Sequence, residues 1–161
     1  MADKKGDLLM IRVNRNGHRG KYGNSKVGRY LPIHPEKYKG DENPIFKSNL
    51  ERLFMRYCDS NENVVYWSYE GLHIKYLDKS SKPEKTRNYY IDFTIWVKSP
   101  NGLRKIWVEI KPKSETVKPK DANNTRAMMT WLKNMSKWNQ AKITAKQCGA
   151  EFKVLTEEQL R

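Results

Sequence analysis

Cysteine and histidine are scarce in this chain, and what there is of them is scattered. Cys58 and Cys148 lie far apart, and His18, His34 and His73 stand isolated from one another. No ligand spacing for zinc is present, and both thiols are expected to be reduced and packed, as in a cytosolic protein. Long apolar runs are missing as well, so nothing reaches the ~20 residues that span a bilayer. The opening Met1-Ala2-Asp3-Lys4-Lys5-Gly6 has no apolar core of the kind a secretion signal needs. No membrane partner is expected, and no internal repeat is visible.

Acidic charge is in short supply. Asp and Glu number 18 against 32 Lys and Arg, a formal net charge of +14 over 161 residues. Such an excess favours a polyanionic partner, because each phosphate neutralised releases condensed counterions. With aromatic residues interleaved among the basic ones, nucleic acid is preferred over an acidic protein. The length suits one domain with a modest core.

Residues 1–43 read as a basic, irregular arm and residues 44–161 as the core. Within the arm, Leu8 to Val13 suits a short strand. Gly17, Gly20 and Gly23 lie among Arg15, His18, Arg19 and Lys21 without the pattern or following helix of a phosphate-binding loop. Ser48 opens a helix to about Cys58 with Leu50, Leu53, Phe54 and Tyr57 as its apolar stripe. Ser48 and Glu51 fit a capping box, which accounts for Glu51 as well as a catalytic role does. Strands follow at Val64 to Tyr69 and Leu72 to Leu77, broken at Glu70-Gly71. A long helix from Ala122 to about Cys148 carries Trp131, Met135, Trp138 and Ala145 at helical spacing, aromatics better suited to a core than to base stacking. Gly149 ends it, and a strand from Glu151 to Leu155 and a short helix from Thr156 close the chain. The order implies an α/β fold with a helix covering one face of a mixed sheet.

The most informative stretch is Tyr89-Tyr90-Ile91-Asp92-Phe93-Thr94-Ile95-Trp96-Val97, followed by Ile106-Trp107-Val108-Glu109-Ile110-Lys111. Ser99-Pro100-Asn101-Gly102 between them reads as a hairpin turn. Alternation along a strand puts Tyr89, Ile91, Phe93, Ile95 and Val97 on one face, opposite Asp92. It also groups Glu109 with Lys111 and Trp107. A Pro100-Asn101 loop sets Asp92 across from Glu109, and an Asn101-Gly102 loop sets it across from Lys111. Either way two carboxylates and an ammonium share a face partly covered by Tyr90, Trp96 and Trp107. That combination suits metal-assisted cleavage of a phosphodiester.

The pattern Asp92…Glu109-x-Lys111, preceded by helical Glu51, resembles the PD-(D/E)xK nuclease superfamily. Ile91 stands where the superfamily name has proline, a position that carries no chemistry. Lys37-Tyr38-Lys39-Gly40-Asp41, Phe46 to Glu51, Phe54 to Asp59, Trp67-Ser68-Tyr69-Glu70, Tyr89 to Phe93, Val108 to Pro112, Lys137-Trp138 and Phe152 to Glu157 together resemble the head completion nucleases of T4-like tailed phages. TnsA-type transposon endonucleases are a more distant resemblance, and the arm before about residue 30 matches neither.

The resemblance implies a single restriction-endonuclease-like α/β domain with a central mixed sheet flanked by helices. It implies a Mg2+-dependent deoxyribonuclease (Mn2+ being the alternative cation) with no small-molecule cofactor. Asp92, Glu109 and the Ile110 carbonyl would hold the metal, Lys111 would stabilise developing charge, and Glu51 would complete the catalytic set. Glu70 is a weaker candidate. Lys47, Lys113, Lys118, Lys120, Arg126 and Lys137 are candidates for tracking double-stranded DNA. Phage head and portal proteins are the further partners implied, with action in the host cytoplasm during assembly or within the virion. Two other readings stay open: a DNA-binding virion connector or plug that no longer cuts, and a TnsA-like or junction-resolving endonuclease.

Overall fold

A computed structural model describes residues 27–160. The Leu8 to Val13 strand and the basic glycine-bearing stretch proposed for the arm lie outside the described residues. In chain order the elements are β1 (Gly28–Arg29), β2 (Ile45–Phe46), α1 (Asn49–Ser60), β3 (Val64–Asp78), β4 (Lys85–Ser99), β5 (Gly102–Ile110), α2 (Thr125–Gln147), β6 (Ala150–Leu155) and α3 (Glu157–Leu160). The main sheet has the order β3-β4-β5-β6, antiparallel except for the parallel pair β5 and β6. Parallel neighbours need a long crossover, and α2 supplies it. The fold is α/β with a mixed sheet of restriction-endonuclease type, as expected.

Helices cover the sheet from both sides. Leu50, Leu53, Phe54, Met55 and Cys58 of α1 pack with Trp67, Phe93, Ile95, Ile106, Val108 and Ile110. Trp138, Ala141 and Ala145 of α2 pack with Ile74, Tyr76, Tyr89, Ile91 and Trp107. Ile106 and Trp107 therefore point to opposite helices, as strand alternation requires. Truncating a fully buried aromatic such as Phe93 to alanine would cost about 3–5 kcal/mol.

One expectation from alternation fails. Tyr89 and Ile91 bury against α2, whereas Phe93 and Ile95 bury against α1, so the five odd-numbered residues of β4 do not share one environment. The change falls at Asp92. There the partner strand is irregular: Tyr69 pairs with Phe93 and Leu72 with Ile91, leaving Glu70 and Gly71 opposite the single Asp92. Glu70 adopts φ 50, in the left-handed region. Such a bulge bends and twists the strand pair, and it re-aims the side chains beyond it. The break proposed at Glu70-Gly71 is thus a bulge inside one continuous strand rather than a gap between two.

Residues 28–39, counted with the arm, are bound to the rest of the chain. β1 pairs with β2, and the Tyr38 ring packs tilted against Trp67 at 4.6 Å between ring centroids. Buried Asp59 accepts hydrogen bonds from the Tyr30 hydroxyl and the Ile33 and His34 amides at 2.7, 2.7 and 2.9 Å. The Lys37 ammonium donates to the Asp59 and Asn61 carbonyls, satisfying the end of α1. Cys58 is buried as expected, but Cys148 is exposed because it falls at the C-terminal cap of α2.

Candidate active site

Strands β4 and β5 pair from Ser99 opposite Gly102 to Phe93 opposite Val108, so Pro100 and Asn101 form the two-residue loop. Continuing that register by one step brings Asp92 level with Glu109. At this point the Asp92 carboxylate accepts the Ile110 amide N–H at 2.9 Å. Asp92 therefore sits where β4 faces a bulge on one side and parts from β5 on the other.

Glu109 is almost fully buried, with 4% of its surface exposed. Its Oε2 accepts the Tyr89 hydroxyl at 2.5 Å, and its Oε1 lies 3.8 Å from the Lys111 ammonium. Lys111 is held at the end of β5 by its own amide N–H, which donates to the Leu155 carbonyl at 3.0 Å. From α2, Lys137 places its ammonium 5.3 Å from the centre of the Tyr89 ring. Burial lowers the Lys137 pKa, while the charge of Glu109 pulls the other way.

Glu51 reaches the site from the first turn of α1. Ser48 Oγ accepts the Glu51 amide N–H at 3.1 Å, the expected half of a capping box. The other half is altered: the Glu51 carboxylate accepts from the Lys47 amide at 2.5 Å and the Tyr69 hydroxyl at 3.1 Å. Glu51 is thus both a helix-end group and a charge felt by Asp92.

Electrostatics mark this cluster. Burial and the neighbouring Glu109 charge hold the Asp92 carboxyl well above its ordinary range, against the pull of the Ile110 amide. Burial also raises Glu109, opposed by the Tyr89 hydroxyl, Lys111 and Lys137. Glu51 is raised by burial too, with the Lys47 amide and Tyr69 opposing. A half-buried Asp92 whose charge is disfavoured by buried Glu109 leaves two carboxylates that could hold a divalent cation. Among the described residues no three His, Cys, Asp or Glu side chains gather as a metal-ligand cluster. Asp92 and Glu109 are the side chains here that could hold a cation, and two carboxylates suit a small, hard ion that keeps much of its water.

The other candidate residues are distributed differently. Lys47 forms an ion pair with Glu70 at 2.5 Å, which draws both toward the bulge opposite Asp92. Lys113 is paired with Glu158 and donates its amide to Glu157. The Lys118 ammonium lies 5.6 Å from the centre of the Trp131 ring, and Lys120 and Arg126 are exposed. Lys137, expected to run along the DNA backbone, instead sits over Tyr89 beside Glu109. Tyr89 and Tyr69, which donate to Glu109 and Glu51, are further candidates that strand alternation misses. Alternation places Tyr89 on the face opposite Asp92, because the bulge at Glu70-Gly71 leaves no trace in local periodicity.

Comparison with known proteins identifies the family. The family model described as TnsA-like endonuclease N terminal matches residues 61–157, a span that holds Asp92, Glu109 and Lys111 and leaves out Glu51. The head completion nuclease of Enterobacteria phage T4 is 35% identical over 144 residues, covering 83% of this chain and 93% of that protein. No solved structure matches.

Proposed function

The chain belongs to the family of TnsA-like endonuclease N-terminal domains and of the phage head completion nuclease, and from that membership we propose a divalent-cation-dependent deoxyribonuclease that acts in head completion. The observation that carries this reading is half-buried Asp92 level with buried Glu109, which has the Lys111 ammonium at 3.8 Å. Asp92, Glu109 and the Ile110 carbonyl would hold the cation, Mg2+ or Mn2+. When bound, that ion would lower the pKa of a water and offset the negative charge that builds on the cleaved phosphate.

The protein's own groups supply the rest. Tyr89 holds Glu109 in place, leaving its other oxygen toward Lys111. Lys111 offers an ammonium to the developing oxyanion or orients the attacking water, a contribution of the order of 10²–10³ in rate for a group of this kind. Lys137 adds positive charge from α2. Glu51, carried by α1 and steadied by Tyr69, holds water on the side of Asp92 facing that helix. The substrate is double-stranded DNA, drawn to a chain of net charge +14. The setting is the host cytoplasm, with head and portal proteins as neighbours in the assembling particle. Among the described residues no helix is long and apolar enough to cross a membrane.

Incubation of supercoiled plasmid with Mg2+ tests this directly. The wild type should degrade the plasmid, and Asp92→Ala and Glu109→Ala should bind DNA with the same salt dependence but leave it intact. Cutting by both variants at the wild-type rate would remove the site assignment. Binding without cutting by the wild type would favour a DNA-binding connector. A second reading within the same chemistry is a TnsA-like or junction-resolving endonuclease, and junction-selective cutting would identify it.

A further inference from the structure

Two tryptophans of α2 face different surroundings. Trp138 is buried in the core, whereas Trp131 is half-buried and lines a groove between residues 114–119 and the first turns of α2. Val117 and Pro119 form apolar wall, Arg126 stands at the rim, and buried Asn134 lies deeper. Glu115 also lines the groove, and it is 3.9 Å from the Lys111 ammonium, so the groove opens beside the candidate active site.

We propose that this groove binds an unpaired nucleotide of the DNA substrate, its base stacked on the Trp131 indole and its phosphate between Lys118 and Arg126. The proposal rests on the nuclease reading above and narrows its substrate to DNA with a frayed or single-stranded end. An apolar trough with a basic rim matches the two halves of a nucleotide. A base inside a duplex is already stacked on its neighbours and cannot enter. In the free protein the Lys118 ammonium covers the indole at 5.6 Å. A cation over a ring at an exposed position is a weaker contact than a stacked base, so the base displaces it and the lysine turns to the phosphate. Glu115, the one carboxylate lining the groove, is already paired with Lys111, which limits its repulsion of the phosphate.

The test is binding in EDTA, where no cleavage occurs, followed by anisotropy of a labelled twelve-residue oligothymidylate and of a blunt duplex of equal length. Trp131→Ala should weaken single-strand binding roughly tenfold, within the range for loss of one stacked base, and leave duplex binding unchanged. Trp131→Phe should stay within about threefold of wild type, since a smaller aromatic face still stacks. The Lys118→Ala/Arg126→Ala pair, which leaves the indole in place, should also weaken the single strand and flatten its salt dependence. Single-strand affinity unchanged in Trp131→Ala and in the double variant would overturn the proposal, as would equal loss on single strand and duplex. Binding in EDTA does not depend on cutting, so a wild-type chain that leaves plasmid intact with Mg2+ would sink the nuclease reading without altering this result.

Discussion

The Tyr89 hydroxyl donates a 2.5 Å hydrogen bond to the buried carboxylate of Glu109, joining the distal half of β4 to the end of β5. Burial and the Glu109 charge push the Tyr89 phenol far above its usual range, so it stays protonated and keeps donating. One oxygen of Glu109 is thereby fixed, and the other is presented toward Lys111.

Removing that donor should disturb the acid more than the fold. Tyr89→Phe takes away a hydrogen bond that favours the ionised form of Glu109, so the Glu109 pKa rises further. The acidic limb of the pH–activity profile should move to higher pH, and activity near pH 7 should fall about tenfold. The unfolding free energy should drop by only about 1–2 kcal/mol. Measured pH–rate profiles and urea titrations of the two proteins check this.

The order of elements, the Ser48 cap and the hairpin loop could be read from local pattern. They depend on neighbours in sequence: turn residues at Ser99 to Gly102, a period of two in the strands, and a hydroxyl ahead of an apolar stripe. The pairing of Asp92, Glu109 and Lys111 followed from the same local rules. What stayed hidden depends on distant parts. Tyr89 reaches Glu109 only because Glu70 and Gly71 of the neighbouring strand bulge opposite Asp92. Lys137 joins the site only through the packing of α2 on the sheet, and Lys47 is taken up by Glu70 across the bulge.

Stability without a cation should depend on the carboxylate pair. Both acids titrate above their ordinary values of 3.8 and 4.5 in the folded chain. The folded state then binds protons more tightly than the unfolded one. The pair's contribution is full below the ordinary values and is lost as pH rises through the raised ones. In chelator at pH 8, Asp92→Asn should melt roughly 3–6 °C higher than wild type, since one of two repelling charges is gone. Near pH 4 the difference should vanish, which calorimetric scans across pH would show.

Lys111 should matter for rate rather than for folding. It is half-buried and salt-bridged at 3.8 and 3.9 Å to Glu109 and Glu115. Lys111→Met keeps much of the stem and removes the charge, so cleavage should fall about 10²–10³-fold while DNA affinity changes little. Lys111→Arg should recover only part of the rate, because a planar guanidinium does not occupy the place of a compact ammonium. Single-turnover cleavage alongside binding in chelator separates the two effects.

Asp59 should be the anchor of residues 30–37. Asp59→Ala would leave the Tyr30 hydroxyl and the Ile33 and His34 amides without their acceptor. A loss of about 2–4 kcal/mol is expected in urea unfolding. Limited proteolysis should then cut between residues 30 and 38 well before the rest of the described chain.

Direct titration of the protein with Mn2+ by calorimetry, in buffers of different ionisation enthalpy, bears most closely on the role given to Asp92 and Glu109. Wild type should take up the cation and release protons, because raised carboxyl groups must ionise to bind it. Asp92→Asn and Glu109→Gln should each weaken uptake by more than tenfold and reduce the proton release. Uptake by both variants with wild-type affinity and proton count would contradict the assignment of the cation to this pair.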